Sequence, residues 1–405
     1  MDRTLLIILF IQILCPTVIL AQSKSADHNF TITGKVIGRD TGNLVLMYQN
    51  ASGNFIKDTV RLEQGNFKFN GSISEPIRVE VQGKLKSFSM DDPNRTWIFL
   101  EPGDMQLTLT EKKYYYARLT GSKTQLEFDA YHKSLEPYQI AADSIRMGLS
   151  KVTKAMDSTP ESLELNNKFA ELKLKSRECY AAIDKKTVEF FSSNPNSYVS
   201  PYLMAQTMER LIGLDSAKII YNNFSETIKN SLWGKIVLQN IIAKAQVITG
   251  NNAPDFTAKD IDGRIMRLSQ FKNKNYILLD FWGSWCVKCL KQTPYLKKMY
   301  DIYRAKGLEM ISISNDSDEQ IWKRSIEKHD MGSWYNIKSN DVMLQSGLDP
   351  AILTKYSIAA YPTVILIDKR GKIIYMHTGF DEDSGIKALE DHLLEALKRD
   401  GVQLQ

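Results

Sequence analysis

Cysteine is scarce in this chain: four residues, Cys15, Cys179, Cys286 and Cys289, among 405. So few exclude the disulfide-dense scaffold by which small exported domains compensate for a thin core. Charge of one sign is scarce as well. The formal net charge is +5, from 52 Lys and Arg against 47 Asp and Glu spread along the chain, so no basic stretch offers a footprint for nucleic acid. There is no internal repeat and no low-complexity tract. The 43% hydrophobic and 24% charged residues are those of an ordinary folded protein. At roughly 100–200 residues per domain, this length implies two or three domains.

The long apolar run is N-terminal. Arg3 supplies a short positive region, residues 5–14 an apolar stretch, and Ala21 a small residue before Gln22. That is the layout of a signal peptide, residues 1–21, cleaved after Ala21. The competing reading is an uncleaved membrane anchor, because residues 5–21 are barely shorter than a spanning helix. Leu14 stands before Cys15 where a lipidation signal needs a small residue, which counts against a lipoprotein. Export to the periplasm or cell envelope follows from either main reading. Cleavage leaves Cys179, Cys286 and Cys289, an odd set that cannot be a framework of structural bridges. Cys179 lies in a charged, helix-favouring stretch and reads as a small, half-buried hydrophobe.

Three zones follow. Residues 26–122 carry short alternating runs such as Phe30-Thr-Ile-Thr-Gly and Met105-Gln-Leu-Thr-Leu between glycine turns, the pattern of an antiparallel β-sandwich. Residues 123–249 change to helical spacing, with a start read at Pro160-Glu161 and a stop at Asn194-Pro195, and form a helical spacer. Residues 250–405 alternate strands and helices as an α/β domain does. The expected pieces are a hairpin at Asp262-Gly263, strands at 276–282 and 308–314, a helix from Cys286 to about Lys306, and another near 319–329. A second hairpin at 369–372 and a helix over 385–397 complete the domain.

The chemistry concentrates in Asp280-Phe281-Trp282-Gly283-Ser284-Trp285-Cys286-Val287-Lys288-Cys289. A strand feeding a helix that opens with C-x-x-C puts the first sulfur at a helix N-terminus, where free amides and the dipole favour thiolate. Cys286 is therefore the expected nucleophile. Cys289, one turn on, is placed to resolve the mixed disulfide, so the two form a redox-active disulfide. A zinc site would need two further ligands, and the five histidines do not flank the motif. No metal and no cofactor are expected. Trp285 reads as a surface ring lining the substrate groove, and Phe281 and Trp282 as core.

These residues resemble the thioredoxin superfamily, and more closely the exported TlpA/ResA-like thiol-disulfide oxidoreductases. The resemblance spans residues 252–398 and rests on Asp-Phe-Trp-x-x-Trp-Cys-x-x-Cys, on Pro294 within the active-site helix, and on Tyr361-Pro362-Thr363, which matches the cis-proline loop facing the dithiol. It implies a thioredoxin fold. It also implies that Asp280 is a buried acid beneath the dithiol that takes the proton of Cys289, and that a cis Pro362 leaves the Tyr361 backbone free to pair with substrate. The longer layout resembles envelope proteins that join a β domain of unknown function and a helical spacer to such a reductase. Val287-Lys288 departs from the Gly-Pro common between the cysteines, and Gln292 from a common Glu, so the reduction potential is not carried over.

The expected fold is thus multidomain. It comprises an N-terminal antiparallel β-sandwich, a helical middle segment and a C-terminal α/β thioredoxin fold over 250–405. The expected activity is reduction of protein disulfides, with disulfide-containing envelope proteins as substrates and a membrane or periplasmic thiol as electron donor. Oxidase or isomerase activity stays open. A thiol peroxidase would need Pro-x-x-x-Thr-x-x-Cys, which does not precede Cys286. The intact dithiol counts against a non-catalytic envelope binding protein. A homodimer is among the roles left for residues 26–250.

Overall fold

The computed structural model describes residues 29–87, 92–339, 342–343 and 352–403; the expected signal segment lies outside them. The chain divides into two compact units between Gln125 and Leu126.

In the first unit, side chains largely alternate inward and outward along β1 (Asn29–Ile37), β2 (Asn43–Gln49), β3 (Phe55–Arg61), β4 (Asn66–Ser72), β5 (Ile77–Gln82), β6 (Arg95–Leu100), β7 (Gly103–Thr110) and β8 (Arg118–Thr120), with Ile98, Phe99 and Leu100 of β6 all buried. Two four-stranded sheets result, ordered β4-β1-β7-β8 and β3-β2-β5-β6. Phe30, Ile32, Leu44, Leu46, Val79, Val81 and Leu107 from both sheets share one core, so the unit is a sandwich. One pair differs from the antiparallel expectation: β1 runs parallel to β7, Phe30 opposite Gly103 through Ile37 opposite Thr110. The chain visits the second sheet between them, and so long a connection need not reverse direction. Gly34 permits the pairing, because a Cβ there would sit 2.0 Å from the Leu107 carbonyl oxygen. β3 has no fully buried residue, which is why its pattern escapes a reading of the sequence.

The second unit begins with helices α1 (Lys123–Ser158), α2 (Leu163–Ser193), α3 (Val199–Leu211), α4 (Leu214–Asn223), α5 (Glu226–Asn230) and α6 (Leu232–Gln246). The helix start read at Pro160-Glu161 is displaced to Leu163. Ser162 caps it, its hydroxyl oxygen accepting from the Leu165 amide at 3.3 Å, a bond that proline cannot supply. α1 buries or half-buries Tyr131, Leu135, Tyr138, Ala142, Ile145 and Leu149, and α2 Leu165, Phe169, Leu172, Ser176 and Cys179. Both follow alternating steps of four and three residues, the seam of a paired coil. The pair is antiparallel, since Tyr131 bonds Thr187 while Gly148 faces Leu172. Cys179 is a free thiol within that seam.

Beyond α6 come β9 (Thr257–Lys259), β10 (Ile265–Arg267), β11 (Tyr276–Trp282), α7 (Val287–Tyr303), β12 (Leu308–Ser314), α8 (Glu319–Lys328), β13 (Tyr335–Lys338), β14 (Val342–Met343), α9 (Ile352–Lys355), β15 (Thr363–Ile367), β16 (Ile373–Thr378) and α10 (Lys387–Arg399). The central sheet has the order β13-β12-β11-β15-β16, with β11 parallel to β12 and antiparallel to β15. It is the thioredoxin-like sheet expected. Every residue of β11 is buried, as a continuous apolar run in a covered sheet requires. Tyr276, Leu278 and Trp282 pack on one face with Leu296, Trp322 and Leu393 of α7, α8 and α10. Ile277, Leu279 and Phe281 pack on the other with Phe256, Ile352 and Tyr356. Asp280 shares the first face, the one that also carries both cysteines.

Candidate active site

β11 ends at Trp282 and α7 begins at Val287, so Cys286 is the N-cap. Its sulfur accepts from the Cys289 amide at 3.2 Å. One of the otherwise unpaired donors of the helix end therefore points at sulfur, and together with the helix dipole it lowers the cost of a thiolate there. The two cysteines form a disulfide with S–S 2.05 Å. Cys286 is 7% exposed and Cys289 2%, so an approaching disulfide meets Cys286 first. Pro294 lies inside α7, two turns on.

Asp280 lies opposite Ser312 on β12 and Val364 on β15. Burial raises its carboxyl from the ordinary range to about 7, and the hydrogen bond from Ser312 opposes that rise. Ser312 Oγ donates to Asp280 Oδ2 at 3.1 Å and accepts from Trp334 Nε1 at 2.9 Å. An acid held near neutrality can take or give a proton at physiological pH.

Tyr361-Pro362 is cis. Trp285 is 60% exposed and meets the half-buried Tyr361 ring edge-on at a centroid distance of 5.4 Å. Tyr361 also packs against the cluster containing both cysteines. Burial pushes its phenol up to about 12, so it stays neutral. The structure thus gathers Cys286, Cys289, Asp280, Trp285, Tyr361 and Pro362 at one end of the central sheet, and sets Cys179 apart on α2.

Four residues of this neighbourhood are not legible as site residues in the sequence: Ser284, Ser312, Asp316 and Trp334. Asp316, buried after β12, accepts from the Ser284 amide at 3.0 Å and from the hydroxyls of Ser284 and Ser314 at 2.6 Å each. It ties the loop before Cys286 to the end of the neighbouring strand. The available signal is topological: loops leaving the same ends of adjacent parallel strands meet.

A helix-capping dithiol and a buried acid on one face of a thioredoxin-like sheet, with a cis-proline loop packed against the same cluster, define a thiol-disulfide oxidoreductase. Residues 248–393 match the Redoxin family, and residues 30–128 match a domain of unknown function, DUF4369. The thiol-disulfide oxidoreductase ResA of Bacillus cereus is 33% identical over 131 residues, 32% of this chain and 70% of that protein. The ResA of Geobacillus thermodenitrificans is 31% identical over 144 residues, 36% of this chain and 77% of that protein. The crystal structure of the thioredoxin domain of a thiol-disulfide oxidoreductase from Bacteroides vulgatus is 32% identical, with a TM-score of 0.31, covering 36% of this chain and 96% of that one. The chain belongs to the ResA family of thiol-disulfide oxidoreductases.

Proposed function

We propose that the chain is exported to the cell envelope and reduces disulfides of proteins there, with Cys286 as nucleophile and Cys289 as resolving thiol. The observation that carries this reading is the Cys286 sulfur at the α7 N-cap with a backbone amide on it, on the sheet face that also carries the buried acid Asp280. In the reduced enzyme the Cys286 thiolate attacks one sulfur of the substrate disulfide and expels the other as a thiolate. Cys289 then gives its proton to Asp280 and attacks Cys286. The Cys286–Cys289 bond forms, the substrate's second sulfur leaves, and two electrons have passed to the substrate. Trp285 and Tyr361 flank the groove in which the substrate segment lies, and the backbone beside Pro362 pairs with it as an added strand. A thiol donor of the envelope restores the dithiol.

The reduction potential of the Cys286–Cys289 couple tests the direction. A reducing couple is expected. A value near about −120 mV, that of a strong disulfide donor, would overturn reduction in favour of oxidation.

A further inference from the structure

We infer that Ser312 and Trp334 are positioning residues that hold Asp280 by a one-way hydrogen-bond chain, favouring the other carboxylate oxygen as the one that receives the proton of Cys289. The inference rests on the reading of Asp280 as the base in the resolving step.

A hydroxyl has one proton to give, and its other hydrogen bonds must be accepted. Trp334 Nε1 can only donate, and it donates to Ser312 Oγ at 2.9 Å. With that lone pair occupied, the Ser312 proton is directed to Asp280 Oδ2, 3.1 Å away. Ser312 is fully buried and Asp280 nearly so, which leaves no bulk water to reorient the chain. One lone pair of Oδ2 is therefore committed as an acceptor, which leaves Oδ1 the more basic oxygen and the favoured site of protonation.

Trp334 is itself fixed. Asn336 on β13 donates through Nδ2 to the carbonyl oxygens of Met331 at 2.7 Å and Trp334 at 3.1 Å. The indole also meets the ring of Tyr300 from α7 edge-on at 5.5 Å, and that tyrosine's hydroxyl donates to Glu309 at 3.0 Å. Beside Asp280 in register, β12 presents Ser312 and β15 presents Val364, and Cys286, the α7 N-cap, and Cys289 belong to the cluster on the same face. The ionisable neighbours of Trp334 are Tyr300, in ring contact with it, and Glu309, bonded to that tyrosine. The Ser312 hydroxyl is the polar contact to the carboxylate within the described residues, and burial is the opposing influence. A donor fixed on the ionised form favours that form. The chain thus keeps a deeply buried carboxyl acidic enough to ionise near neutral pH.

The test uses the full chain with Cys15→Ser and Cys179→Ser, reduced and mixed with an aromatic disulfide such as dithiobis-nitrobenzoate in a stopped-flow instrument. Attack by Cys286 releases the first thionitrobenzoate. Attack by Cys289 on the resulting mixed disulfide releases the second. Ser312→Ala should leave the first phase unchanged and move the pH midpoint of the second up by about one unit, roughly a tenfold loss of rate below the midpoint, as expected for losing a hydrogen bond to a charged group. Trp334→Phe should shift the same phase in the same direction by less. The double variant should shift no further than Ser312→Ala, because Trp334 acts through that hydroxyl. An unchanged second-phase midpoint in Ser312→Ala, or additive shifts in the double variant, would overturn the inference. Asp280→Asn is the separate arm: if it left the second phase intact, the failure would lie in the assignment of Asp280 as base.

Discussion

Asp280 sets up an opposition between folding and chemistry at a single side chain. Its carboxyl titrates at about 7 in the fold against an ordinary value of 3.8, and burial is the cause. The folded-state value is raised, so the folded chain binds a proton more tightly than the unfolded chain does. The associated stability is complete below pH 4 and is lost as pH rises through 7. Asp280→Asn keeps the shape and removes the charge. It should stabilise the C-terminal fold at pH 8 by an amount on the order of 3 kcal/mol, with the gain vanishing toward pH 4. Chemical denaturation of the oxidised protein at the two pH values measures this, and an equal effect at both would contradict a buried ionised group. The roles proposed for the two cysteines are separable as well. Cys289→Ser should accumulate substrates as mixed disulfides on Cys286, since the resolving sulfur is gone, whereas Cys286→Ser should trap none. Non-reducing electrophoresis of tagged protein reads both. Equal trapping by the two variants, or loss of reduction in Cys179→Ser alone, would mean the roles are misassigned.

At the scale of elements, the site is a junction of two loops. The loop from β11 to α7 presents Cys286, and the loop after β12 clasps it through Asp316. Removing that carboxylate by Asp316→Ala leaves the Ser284 amide and two hydroxyls without their acceptor, at a cost of about 1–3 kcal/mol for each group that stays buried. Turnover of a small disulfide should fall about tenfold, in line with a comparable loss of positioning energy. Amide exchange at Ser284 and Trp285 should quicken while the rest of α7 stays protected. Unchanged exchange there would show that the clasp does not hold the loop. β11 is readable in the sequence because a covered strand must be apolar on both faces, which makes the acid at 280 stand out. The dithiol is readable because C-x-x-C after such a strand has few alternatives. Ser312 is not, because its partner lies 32 residues away across a sheet whose register the sequence does not print. Trp334 is missed for a related reason: β13 is only four residues long, and its loop gives no periodic signal.

For the molecule as a whole, the residues assigned to chemistry and its positioning lie between Asp280 and Pro362, with the β-sandwich far upstream in sequence. We propose that residues 250–405 form a separable catalytic domain, and that residues 26–249 serve dimerisation, positioning or choice of substrate. The joint is tied into the domain. The Gly250 amide donates to the Ile373 carbonyl at 2.8 Å, the Ile373 amide to Asn251 at 2.9 Å and the Ala253 amide to Gly371 at 2.9 Å. A fragment starting at Thr249 keeps all three bonds. It loses Val247, which is buried in the core with Phe256 and Ile352. Deleting such a side chain costs about 1.5–3 kcal/mol, a tolerable loss for a domain with two covered sheet faces. The fragment should therefore fold, and should reduce insulin at a rate close to that of the whole chain, because a generic disulfide needs only the dithiol and its groove. A fragment starting at Gln246 should match it in rate and exceed it in denaturation midpoint. If the Thr249 fragment shows native circular dichroism and no activity, a residue before the joint completes the site, and Cys179 is the first to replace.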